Sequence, residues 1–70
     1  MLSDIKLKIR HAKRGNERNL DLSGMGMSEL PADITQLTML ENLNISNNKL
    51  NTLRRVDQLP NLKSINAQNN

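Results

Sequence analysis

Internal repetition constrains this chain more than any other feature. Residues 40–50, LENLNISNNKL, carry the pattern L-x-x-L-x-L-x-x-N-x-L, with Ile45 taking one Leu place. Shifted back 23 residues, Leu43, Ile45, Leu50 and Leu53 fall on Leu20, Leu22, Met27 and Leu30. Shifted forward 22 residues, Leu40, Leu43, Ile45 and Asn48 fall on Leu62, Ile65, Ala67 and Asn70. A single such pattern can arise in any Leu-rich helix. Three registers, with the Asn kept in two of them, mark units that must stack to bury their apolar faces. Across Leu43, Asn44 and Ile45 the alternation predicts a short strand, with the apolar pair inward and Asn44 outward.

Composition narrows the core chemistry. The 70 residues allow one domain and include no Phe, Tyr, Trp or Cys. The core is therefore aliphatic, without disulfides or thiolate ligands, and a core of this size contributes about 3–5 kcal/mol. The absence of Cys fits a reducing compartment. The net charge of +3 is unevenly placed. Residues 1–18 carry six cations against Asp4 and Glu17, whereas the remainder is slightly acidic. No apolar run approaches a membrane span, and the N-terminus lacks the apolar region of a secretory signal. Its basic, partly apolar start is faintly like a transit peptide, but Asp4 and the scarcity of hydroxyl residues oppose that. A cytoplasmic or nuclear location is the expectation.

The first segment reads as a helix. Ser3 is a good N-cap, and Asp4 suits the first turn. Leu2, Ile5, Ile9 and Ala12 share a helical face, and Gly15 with Asn16 forms a stop signal. Ile5, Leu7 and Ile9 also alternate with Lys6, Lys8 and Arg10, as in a strand. The stop signals and the length of the run favour the helix. Solvation of the helix's cations is the simplest expectation for them.

The repeated pattern, the segment Leu20 to Gly24 (LDLSG) and the following Leu30 and Pro31 resemble the leucine-rich-repeat family, intracellular type. The resemblance covers residues 17–70, and the whole chain if the helix is a cap. It implies an α/β fold: a right-handed leucine-rich-repeat solenoid with short parallel strands on the concave side and helical or 3₁₀ turns on the convex side. The expected organisation is a capping helix over 1–16, repeats over 17–39 and 40–61, and the start of a third over 62–70, as in the first part of a longer array. Residues 30–37 look like the return segment of 23-residue repeats, with Pro31 opening a helical turn. Leu53, Val56, Leu59 and Leu62 recur every three residues, which suits 3₁₀ turns and resembles the 22-residue class.

Structural roles are expected for Leu20, Leu22, Leu40, Leu43, Ile45, Leu50, Leu53, Leu62 and Ile65. By the resemblance, Asn48 and Asn70 point inward and satisfy turn backbone groups of adjoining repeats; an exposed turn Asn is the alternative. Met25 takes the Asn place in the first repeat, and with Met27 it reads as adaptable core filler. The family commonly recognises partners on its concave face. Carried over, this gives Asn19, Asp21 and Ser23, then Asn42, Asn44 and Ser46, then Ser64, Asn66 and Gln68. The row is polar and almost uncharged, and it lacks the Trp, Tyr and Arg that anchor most hot spots. A merely soluble strand face is the competing reading for each residue.

Catalysis finds little support. His11 is the only histidine, in the basic helix and without metal-ligand companions, and the glycines form no phosphate loop. Asn44 to Ser46 fits a glycosylation sequon, which has no role without a secretory route. The expected function is a non-catalytic protein-interaction module of an intracellular scaffold or signalling protein, needing neither cofactor nor metal, with possible self-association through the open C-terminal edge. The alternative is a basic helix that binds nucleic acid or an acidic membrane surface. Against that alternative stands the lack of aromatics for base stacking.

Overall fold

The computed structural model describes residues 2–70, the side chain of Leu2 excepted. It is a small α/β fold with one α-helix and a three-stranded parallel open sheet. Helix α1 (Leu2–Arg14) is followed by strands β1 (Asn19–Asp21), β2 (Asn42–Asn44) and β3 (Ser64–Asn66). A 3₁₀ turn at Ala32–Gln36 lies between β1 and β2, and a second at Val56–Gln58 between β2 and β3. The strand order is β1-β2-β3, all parallel. Among the described residues no helix is long and apolar enough to cross a membrane.

The register follows the sequence period. Leu20 pairs with Leu43 and Leu43 with Ile65, flanked by the rows Asn19, Asn42, Ser64 and Asp21, Asn44, Asn66. Backbone conformation repeats at the same interval: Gly24 (φ 64°), Asn47 (φ 56°) and Asn69 (φ 59°) are left-handed. Gly24 supplies that conformation without a steric penalty, and the two Asn residues are the side chains that tolerate it best.

The core is aliphatic throughout. Leu22, Leu30, Ile34, Leu40 and Ile45 are fully buried, and Leu20, Met27, Leu37, Leu43, Leu50 and Leu59 nearly so. Helix α1 closes one end by packing on β1 and the first 3₁₀ turn, burying Ile5, Ile9 and Ala12. The helical period therefore prevails over the alternation of Ile5, Leu7 and Ile9, and Leu7 is left exposed. Leu2 was expected on the same face; its side chain lies outside the described residues.

Both ends of α1 refine the sequence reading. The helix begins at Leu2, so Ser3 sits inside the first turn instead of capping it. At the other end Asn16, not Gly15, adopts the left-handed conformation (φ 48°). The Glu17 N–H donates to the Ala12 carbonyl at 2.9 Å and the Asn16 N–H to the Lys13 carbonyl at 3.2 Å. This paired closure is a Schellman motif with Asn in the place that Gly most often takes.

At the opposite end three expected core residues are less covered. Leu53 is 46 % exposed and Ile65 38 %, and Leu62 is only half-buried. The physical reason is position in the stack. Leu20 and Leu43 have a unit or the helix on both sides, whereas β3 is an edge strand with a neighbour on one side only. The second return segment is also one residue shorter than the first, and the deletion falls in the stretch where Arg55 takes φ 88°. Arg55 reaches back from there, its Nε donating to the Leu30 carbonyl at 3.0 Å.

Candidate interaction surface

The outward positions of the three strands, Asn19, Asp21, Asn42, Asn44, Ser64 and Asn66, lie side by side over a shallow concavity of about 480 Å³ that Leu20, Leu43 and Ile65 between them also line. The first row is a hydrogen-bonded ladder. Asn42 Nδ2 donates to Asn19 Oδ1 at 2.7 Å, and Ser64 Oγ donates to Asn42 Oδ1 at 2.6 Å. All three side chains are exposed. Their remaining donors and acceptors face solvent along one line across the sheet.

The second row serves the chain itself. Asp21 Oδ1 accepts from the Ser23 hydroxyl at 2.6 Å and the Ser23 N–H at 2.9 Å. Asn44 Oδ1 accepts from the Ser46 hydroxyl at 2.7 Å and N–H at 3.0 Å, and Asn66 Oδ1 from the Gln68 N–H at 3.1 Å. Each is an Asx-type turn that closes the strand's exit. The Ser23 hydroxyl, then the Ser23 N–H, and more weakly the Lys8 charge, hold the Asp21 carboxyl below its ordinary pKa against a small opposing effect of burial.

The third row does not form one exposed set. Gln68 is exposed and Ser23 partly covered, but Ser46 is 6 % exposed. Ser46 was expected among the partner-facing residues; its hydroxyl is instead committed to Asn44, and its carbonyl accepts from Gly24 N–H at 3.0 Å and from Asn48 Nδ2 at 3.1 Å. A central unit is covered on both sides, which buries the side chain that stays open at the flanks.

Beneath the face, Asn48 is buried and fully used. Its Oδ1 accepts from the N–H groups of Met25 and Met27, both at 3.0 Å. Its Nδ2 donates to the carbonyls of Leu22, Ile45 and Ser46 at 2.9–3.1 Å. Asn70 repeats the arrangement one unit on, accepting from Leu50 N–H at 3.0 Å and donating to the Ile45, Ala67 and Gln68 carbonyls. The bonding is directional, because each Asn ties its own turn to the preceding unit. Met25 occupies the first unit, which is preceded by the helix and not by another turn, so no amide is needed there.

No protein-family model, curated protein or solved structure matches the chain.

Two features of the geometry escaped sequence reasoning. Glu41 lies between Arg18 (3.9 Å) and Lys63 (3.7 Å), again at the 23- and 22-residue intervals. Applying the period to charged positions as well as apolar ones would have revealed this column. The helix cations are exposed, and two of them also bond across to neighbouring elements: Lys8 Nζ donates to the Asp21 carbonyl at 3.0 Å and Lys13 Nζ to Gln36 Oε1 at 2.9 Å. No sequence signal announced these, since they depend on how α1 docks. His11 is exposed on the helix.

Proposed function

We propose that the chain is a short leucine-rich-repeat unit, capped by α1, that acts as a non-catalytic protein-interaction module of an intracellular scaffold or signalling protein. The observation that carries this reading is the exposed ladder of Asn19, Asn42 and Ser64. Equivalent side chains of successive units stand abreast on a shallow concave face, where an extended partner segment can bond to several at once. The buried Asn48 and the exposed Asn70, each bonded to turn backbone of the preceding unit, support the repeat reading. The face is polar and lacks aromatic anchors, so its affinity is modest unless several rows are engaged together. Partners on this reading are other proteins, and a second copy meeting the open edge of β3.

Site-specific photocrosslinking tests the proposal. A photoreactive residue at position 42 is expected to yield a defined protein adduct in cells, and the same residue at Glu29, off the sheet, is not. Equal adduct patterns from the two positions would remove the sheet face as the recognition surface.

A further inference from the structure

A second surface is built from charge. Between α1 and the first 3₁₀ turn runs a groove of about 640 Å³, lined by Lys6, Arg10, Lys13 and Arg14 on the helix side and by Asp33 and Gln36 on the other. Four cations against one carboxylate equal the net charge of the entire chain. The helical period explains the clustering: Lys6, Arg10, Lys13 and Arg14 follow one flank of the buried stripe of Ile5, Ile9 and Ala12. The ion pairs found among the described residues, Arg18 and Lys63 with Glu41, lie elsewhere. Lys13 holds the two walls together through Gln36 and keeps two ammonium donors for a ligand.

We propose that this groove binds an acidic peptide segment of a partner protein in extended form. Spacing supports it. Lys6 and Arg10 are separated by about 6 Å along the helix axis. Alternate residues of an extended peptide project to one side at about 6.6 Å intervals. Acidic residues at every second position therefore meet successive cations of the flank. The opposite wall selects the class of polyanion. Asp33 is a carboxylate that can only accept hydrogen bonds at neutral pH. A peptide backbone offers N–H donors to it, whereas a phosphodiester backbone offers none and is repelled. The chain also lacks aromatic side chains on which bases could stack. A concave groove, finally, suits a slim strand better than a flat bilayer.

The test is fluorescence anisotropy on the full chain with a labelled peptide of about ten residues, Glu alternating with Thr, at low and raised salt. Oligothymidine of similar length and phosphatidylserine vesicles are run in parallel. The peptide is expected to bind more tightly than either. The double variant Lys6→Glu, Arg10→Glu is expected to weaken it tenfold or more. Asp33→Ala, which removes the charge and the acceptor oxygens together, discriminates most sharply. Simple charge attraction requires this variant to tighten every anion, whereas a backbone N–H accepted by Asp33 requires peptide affinity to fall several-fold while oligothymidine binding rises. Absence of peptide binding, tighter peptide binding by Asp33→Ala, or stronger binding of oligothymidine or vesicles would each overturn the proposal. Should the reversal variant lose its helical circular dichroism, Lys6→Gln, Arg10→Gln carries the same test with a smaller expected drop.

Discussion

Asn48 carries more of this structure than any other single polar side chain. It makes five hydrogen bonds from a buried position, and three of them reach the preceding unit. Asn48→Ala strands several buried backbone groups at about 1–3 kcal/mol each. That is comparable with the whole stability of so small a core, about 3–5 kcal/mol. Urea denaturation followed by far-ultraviolet circular dichroism, the natural probe for a chain without aromatics, is expected to show Asn48→Ala largely unfolded in water. The Asp21 position allows a finer test. Its lowered pKa means that protonation is disfavoured in the folded form, so its contribution is complete above the unfolded carboxyl pKa of about 3.9 and is lost as pH falls through the lower folded value. Asn44 and Asn66 make the same turn without a charge. Asp21→Asn is therefore expected to leave stability at neutral pH within about 0.5 kcal/mol and to flatten the acid limb of Tm against pH. An acid limb as steep as the parent's would assign the effect to other carboxylates. The recurrence of the Asn was legible in its spacing, whereas its inward direction was implied only by the leucine-rich-repeat resemblance. The burial of Ser46 was not, because outward alternation along a strand says nothing about how closely the next units cover its exit.

The elements differ in how much of their placement local sequence decides. Strands of three residues have negligible stability alone, so β1, β2 and β3 exist because Leu20, Leu43 and Ile65 stack and the ladder closes. Their position was legible from the period alone. Helix α1 was ambiguous, since Ile5, Leu7 and Ile9 fit a strand as well. What decides is tertiary: Ile5, Ile9 and Ala12 complete the cover over β1 and the first 3₁₀ turn, a surface that one strand face could not match. The second return segment was least legible, because a one-residue deletion and the left-handed Arg55 change which of Leu53, Val56, Leu59 and Leu62 turn inward, and of the four only Leu59 is buried. Burial predicts unequal sensitivity along the stacked row. Leu43, 2 % exposed, should cost about 2–5 kcal/mol on truncation to Ala, whereas Ile65 on the edge strand should lose clearly less. Equal urea midpoints for Leu43→Ala and Ile65→Ala would mean that the edge strand is as tightly packed as the central one.

At the scale of the whole molecule the two ends of the stack are unlike. Helix α1 covers the β1 end with three buried aliphatic side chains and leaves its cations outside. The β3 end carries exposed Leu53 and Ile65 with half-buried Val56 and Leu62, beside a strand edge that has no partner among the described residues. Unpaired N–H and C=O groups bordered by apolar side chains form a template for a further strand, and proteins that keep such an edge monomeric usually place charge on it. Here the strand itself is Ser64, Ile65 and Asn66, and Lys63 beside it is engaged with Glu41, the residue before β2. Two copies can therefore meet edge to edge, each covering the other's Ile65 and Leu53. Sedimentation velocity over a range of concentrations is expected to show the mass rising from monomer towards dimer. Ile65→Lys places a cation at the centre of each edge, where two-fold pairing brings it against its own copy, and should weaken association by tenfold or more with little loss of fold, because Ile65 contributes least to the core of the three stacked residues. A parent chain that stays monomeric throughout would show that the shortness of a three-residue edge suffices to keep it unpaired.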